Sequence, residues 1–193
     1  FNSVHERLVE AFRDLKGGAP YFLHLTCMAG PEDDLGTLSY LAECAGQAKL
    51  PTHIVMIEDI GLTPEGNFVD ENNKPIETLF KLYPWEWMLK EEFDQAATAS
   101  KTHFVEPIWK MLLSNKGLLP FLHEAAPGHP NLLPAFFEDD PRIAALGPDH
   151  IRKPLHSREG ANLRLVKAGK TLETDGPYED GPAIFQAVAN MPA

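Results

Sequence analysis

The sequence predicts an α/β layer followed by an α+β region. Two short apolar runs near the start, separated by a helical period, mark a small open sheet with helices between its strands. From residue 102 onward the apolar segments shorten and are joined largely by turn sequences. Hydrophobic residues make up 44% of the 193, enough to build a core.

The elements follow in order. Ser3-Val4-His5-Glu6 has capping-box spacing. Val4, Leu8, Ala11, Phe12 and Leu15 then recur at helical spacing, and Gly17-Gly18 with Pro20 stops the helix. Tyr21–Cys27 reads as a buried strand. Pro31-Glu32-Asp33-Asp34 opens a second helix, because proline suits a first turn and acids favour the positive end of the helix dipole. Thr52–Ile57 is the second strand. Turn sequences at 64–67 and 71–74 flank Phe68-Val69 and predict a hairpin before a strand at Thr78–Leu82. Pro84 starts a helix whose Trp85, Trp87, Met88 and Phe93 read as core.

In the second half, His103–Val105 is a brief strand and Ser114–Glu124 a helix. A proline-rich stretch over 127–134 follows. Ile151–Leu155 is a strand leading into the polar loop Ser157–Asn162. Leu163–Val166 and Thr171–Glu173 flank Ala168-Gly169-Lys170 as a hairpin, and Ala183–Val188 is the last strand. The reading gives two regions, 1–101 and 102–193.

Charge narrows the function. The net charge of −11, from 28 acids and 17 bases, argues against a nucleic-acid partner, which needs a basic surface. No apolar run approaches a membrane span. Cys27 and Cys44 form no CxxC pair and read as reduced, buried residues of a cytoplasmic protein. The eight histidines are scattered, with no HxH or HExxH, so no metal ligand is expected. GxSxG and the P-loop pattern are both absent.

Three features carry chemistry. Ser114-Asn115-Lys116 stands at a helix start. Lys153 precedes the Ser157–Asn162 loop. Gln186 lies on the last strand. Bound nucleotide phosphates require cations and a backbone that can approach closely, which a glycine-bearing loop allows. By spacing alone, a solvated strand lysine and an ordinary turn are favoured over a phosphate cover.

A resemblance adds to this. Glu106-Pro107-Ile108-Trp109-Lys110, Ser114-Asn115-Lys116 and Leu119-Pro120 resemble the E-P-x-W-K…N-K-x-x-L-P segment of the glutathionylspermidine synthase family. Pro127-Gly128-His129-Pro130 resembles its next stretch. Lys153-Pro154-Leu155 with Ser157-Arg158-Glu159-Gly160-Ala161-Asn162 resembles its K-P-x-x-S/G-R-x-G-x-N loop. Tyr83-Pro84-Trp85-Glu86-Trp87 resembles its aromatic segment, and Glu32-Asp33-Asp34 with Gly36-Thr37 its acidic helix start. Leu82 stands where the glutathione-using members resemble Lys-Thr-Trp, so the chain is most similar to stand-alone relatives lacking an amidase domain.

The resemblance implies a pre-ATP-grasp α/β layer (1–101) followed by an ATP-grasp nucleotide-lid subdomain (102–193), parts of a longer ligase. It implies that Lys116, Lys153, Ser157, Arg158, Gly160, Ala161, Asn162 and Gln186 contact ATP. Asp33 and Asp34 would be candidates to face the substrate, although placement for the helix dipole alone is the favoured reading. The implied chemistry joins a small-molecule or peptide carboxylate to an amine through an acyl phosphate. ATP and Mg²⁺ are the implied cofactors, with the magnesium ligands outside this segment, so this segment alone is expected to be inactive. The alternative is a catalytically inactive nucleotide- or partner-binding module of the same fold.

Overall fold

A computed structural model describes residues 2–15, 22–91, 93–178 and 181–189. It is mixed α/β, with one parallel and one antiparallel sheet. The chain divides into two compact units, Phe1–Met111 and Leu112–Ala193.

The first unit opens with α1 (Val4–Leu15), β1 (Leu23–Cys27), α2 (Glu32–Gln47) and β2 (Thr52–Met56). At the start of α1, Asn2 Oδ1 accepts from the Val4 amide at 3.4 Å. Gly17-Gly18, Pro20 and Tyr21 lie outside the described residues. A two-stranded hairpin, β3 (Gly61–Leu62) with β4 (Phe68–Val69), falls where the turn sequences predict it. β5 (Thr78–Lys81), α3 (Trp85–Met88), α4 (Asp94–Ala99) and β6 (His103–Val105) complete the unit. The expected helix after Pro84 is broken, and Phe93 caps the second piece.

β2, β1, β5 and β6 form one all-parallel sheet in that order. β6 pairs with β5, so the first unit extends through Met111 and not only to residue 101. Strand alternation sorts the side chains onto two faces. Leu23, Leu25 and Cys27 pack with Val9 and Phe12 of α1 and Leu38, Leu41, Cys44 and Ala45 of α2. Val55 and Leu79 point the other way, into a cluster with Phe68, Trp85, Met88, Phe93 and Phe104. Phe104 meets Phe68 and Trp85 edge-on, at ring-centroid distances of 5.5 and 4.8 Å, the arrangement aromatic quadrupoles favour. Both cysteines are free and buried.

The second unit holds α5 (Leu118–Ala125), β7 (Ala135–Phe137), β8 (His150–Pro154), β9 (Arg164–Lys167), β10 (Lys170–Glu173) and β11 (Ala183–Ala187). Its antiparallel sheet has the order β10-β9-β8-β11-β7. α5 starts at Leu118, so Ser114-Asn115-Lys116 precedes the helix and does not lie within it. Pro120 sits in its first turn, where a missing N–H breaks no helical bond. β7 is an element the sequence reading missed: three residues after a proline-rich stretch carry too little periodicity. Among the described residues, no helix is long and apolar enough to cross a membrane.

Leu79 is fully buried on a strand paired on both sides. Leu79→Ala is expected to cost about 2–5 kcal/mol in urea unfolding, whereas Leu172→Ala on exposed β10 changes stability by about 0.5 kcal/mol or less.

Candidate functional site

Antiparallel pairing of β8 with β11 builds the centre of the second unit's site. Lys153 lies opposite Ile184, and Ile151 opposite Gln186. Lys153 and Gln186 are therefore diagonal neighbours on one face, within reach of long side chains. Lys153 Nζ donates to Gln186 Oε1 at 2.7 Å. Gln186 is buried.

Lys116 reaches the same region from the turn before α5. Its amide donates to the Leu155 carbonyl at 2.9 Å, which ties that turn to the end of β8. Asn115 Oδ1 accepts from the Gly117 amide and shapes the turn. Lys116 Nζ donates to the Ser157 carbonyl and, at 3.1 Å, to Ser157 Oγ. Ser157 is buried, and its hydroxyl lies 3.4 Å from the Pro154 carbonyl.

The electrostatics are unusual for a lysine pair. Burial lowers the pKa of Lys116 from its ordinary value, and the charges of Lys153 and Arg158 lower it further. Burial lowers that of Lys153. Among the described residues, the charges that shift Lys116, those of Lys153 and Arg158, are both positive. Two partly desolvated ammonium groups held by neutral oxygens suit an anion of more than one charge.

The loop that follows is held open by its own backbone. Glu159, Gly160 and Asn162 all have positive φ, at 52°, 76° and 53°, a conformation glycine adopts freely. Thr174 Oγ1 donates to the Gly160 carbonyl at 2.6 Å and accepts from the Leu163 amide at 2.9 Å. Asn162 Oδ1 accepts from the Tyr178 amide at 3.1 Å. Arg158, Gly160 and Ala161 line an open cleft of about 490 Å³ with Thr174, Gly176 and Tyr178. The expected set therefore divides in two. Lys116, Lys153, Ser157 and Gln186 gather by hydrogen bonds, while Arg158, Gly160, Ala161 and Asn162 form the loop. Thr174 and Tyr178, which brace that loop, were missed because their partners lie 11 to 16 residues away.

In the first unit, residues collect beyond the carboxyl ends of the parallel strands, where open α/β sheets bind ligands. Glu58 accepts from the Ala29 amide through both oxygens, each at 3.2 Å. Burial raises the pKa of the Cys27 thiol, as do Asp34 and Glu58. Tyr83 donates to Glu91, and burial and that carboxylate raise the phenol's pKa well above its usual value. Lys81 Nζ donates to the Tyr83 carbonyl at 2.9 Å and stands 3.9 Å above the Trp85 ring. Asp34 is half-buried at this end, and Asp33 is exposed. Trp85, Met88 and Phe93 are core, as expected.

The profile of the family described as "Glutathionylspermidine synthase preATP-grasp" matches residues 1–193. A provisionally named acid–amine ligase of Haemophilus influenzae is 46% identical over 100% of this chain and 51% of that protein. A trypanothione synthetase of Crithidia fasciculata is 25% identical over 71% of this chain and 24% of its own length. A bifunctional glutathionylspermidine synthetase/amidase of Escherichia coli is 22% identical over 79% and 29%. The chain spans at most about half the length of these relatives.

A polyanion across the lysine pair favours their charged forms and raises both pKa values. Its binding must therefore take up protons at alkaline pH, between the lowered free values and the raised bound ones. Calorimetry with tripolyphosphate in two buffers of different ionisation enthalpy should show net proton uptake, growing as pH rises into that window. In a second test, a Cβ on Gly176 would lie 2.4 Å from Asn162 Oδ1 and 2.5 Å from Ala161 Cβ. Gly176→Ala should displace the Asn162 clamp and speed tryptic cleavage after Arg158.

Proposed function

The chain belongs to the glutathionylspermidine synthase pre-ATP-grasp family, and from that premise we propose that it forms the substrate-side layer and one jaw of the ATP site in an ATP-dependent carboxylate–amine ligase. The names of its relatives, a ligase and several synthetases, support amide-bond formation as the class of reaction.

The observation that carries the ATP reading is the lysine pair. Lys116 and Lys153 lower their charge cost on meeting a polyanion, and the residues around them fit a triphosphate better than a metal. In this reading Lys116 and Lys153 neutralise phosphate charge. Ser157 holds Lys116 in place, and Gln186 holds Lys153. Arg158, Gly160, Ala161 and Asn162 form a lid whose positive-φ backbone comes close to the phosphates and excludes water. Bound ATP would supply the phosphoryl group that activates the carboxylate as an acyl phosphate, and the amine would attack its acyl carbon, forming the amide and releasing phosphate. Mg²⁺ would draw its carboxylate ligands from the rest of the protein.

Catalysis by these residues is positioning and charge neutralisation. On the substrate side, Asp34, Glu58 and Glu91 give the carboxyl end of the parallel sheet a negative character suited to a cationic amine, with Asp33 at its exposed edge.

The test uses the whole protein. Lys116→Ala and Lys153→Ala should each weaken ATP·Mg²⁺ binding by about tenfold to a hundredfold, as expected for the loss of one charge-assisted contact. Calorimetry reads this directly, and unchanged affinity in both variants would overturn the site. ADP release screened over pairs of peptides and polyamines identifies the substrates. ATP binding with no stimulated release by any pair would favour the inactive binding module.

A further inference from the structure

The opposite, amino-terminal end of the parallel sheet carries a second cluster that the ligase reading does not use. His24 and His53 are paired in register on adjacent strands β1 and β2, so their side chains share a face. Their rings meet edge-on at 5.8 Å. Asp70 and Glu71 approach from the turn after β4. A cavity of about 400 Å³ opens onto His24, His53 and Asp70, and is also lined by Asn72, Lys74 and Glu77.

Four observations make this a built site. His24 is 3% exposed, yet neither ring nitrogen has a hydrogen-bond partner among the described residues. Its Nε2 stands 3.6 Å from Asp70 Oδ2, too far for a hydrogen bond. That gap is close to the spacing of two donors on one tetrahedral ion, about 3.4 Å for bonds of about 2.0–2.1 Å. Donor atoms of His53, Asp70 and Glu71 all lie within 4.8 Å of one another.

Outer contacts aim these ligands. Asp70 is 5% exposed, and its Oδ1 accepts from the Asn72 and Lys74 amides at 2.9 and 2.8 Å, leaving Oδ2 turned to His24. Glu71 Oε1 accepts from Asn72 Nδ2 at 2.9 Å and faces His53 Nε2 at 2.8 Å. Such orienting bonds accompany metal ligands. An ion bound by these three takes the place of the proton between His53 and Glu71, and the orphaned nitrogen of His24 stands 3.6 Å from the third ligand, Asp70 Oδ2.

We propose that His53, Asp70 and Glu71, completed by His24, bind one divalent transition-metal ion of the zinc class, which clips β1 and β2 to the turn after β4. Two imidazoles and two carboxylates form a nitrogen–oxygen set suited to zinc, and its oxygens come from side chains already held in place. The ion lies at the end of the sheet away from the substrate acids, so its role is structural.

Titration of the metal-stripped whole protein with zinc chloride, without nucleotide, tests this. One equivalent should bind and raise the melting temperature. His53→Ala and Glu71→Gln, both at partly or fully exposed positions, should each weaken binding by at least about tenfold. The double variant should lose the zinc-dependent rise while melting at the apo wild-type temperature or close to it. Failure of the wild type to bind zinc overturns the proposal. So does equal binding by wild type and double variant, which would put the metal on other histidines.

Discussion

β1 is buried along its whole length, and the first unit is organised around that constraint. A parallel strand flanked by β2 and β5 has satisfied backbone groups, but both of its faces must be covered. On one side Leu23, Leu25 and Cys27 require the α1–α2 pair. On the other, β1 presents His24 and Thr26, polar groups in the layer that contains Leu79, Val55 and the aromatic cluster. Thr26 Oγ1 and both His24 nitrogens lack hydrogen-bond partners among the described residues, a burial cost of about 1–3 kcal/mol for each unsatisfied group. A core strand that keeps such residues gives up stability for something other than packing.

The second unit gives up stability in a different way. It places two ammonium groups near each other, partly out of water, with neutral oxygens as their hydrogen-bond acceptors. A carboxylate between them would offset the repulsion and also fill the anion's place. The lowered pKa values of Lys116 and Lys153 record that cost, and a polyanion bound there would offset it. Gln186 is informative here. As a neutral acceptor, it fixes Lys153 in direction without neutralising its charge.

The sequence made legible what is local and periodic. The α1 and α2 stripes, the β3–β4 turns and the Ser157–Asn162 loop follow from helix period, turn chemistry and glycine placement. Less legible was anything set by pairing across distance. β6 joins the first unit only because β5 offers it an edge, and no composition shift at Met111 announces the boundary. Lys116 reads as helical because Leu118–Ala125 continues its apolar pattern, but its amide is bound to Leu155 instead. The histidine cluster is the extreme case. Residues 24, 53, 70 and 71 meet through strand register, and no short motif contains them.

In the proposed ligase, charge would act differently on the two substrates. The chain carries −11 overall, a field that repels a nucleotide and attracts an amine. In that reading, triphosphate capture would not rely on long-range steering by this chain. It would require local cations such as Lys116 and Lys153, whose hydrogen-bond acceptors are neutral oxygens. An amine would need no such concentration of charge, since scattered carboxylates such as Asp34, Glu58 and Glu91 would already favour its approach. The acidic composition and a lysine pair with neutral acceptors among the described residues thus fit the proposed task, in which one substrate would be drawn by the general field and the other held against it.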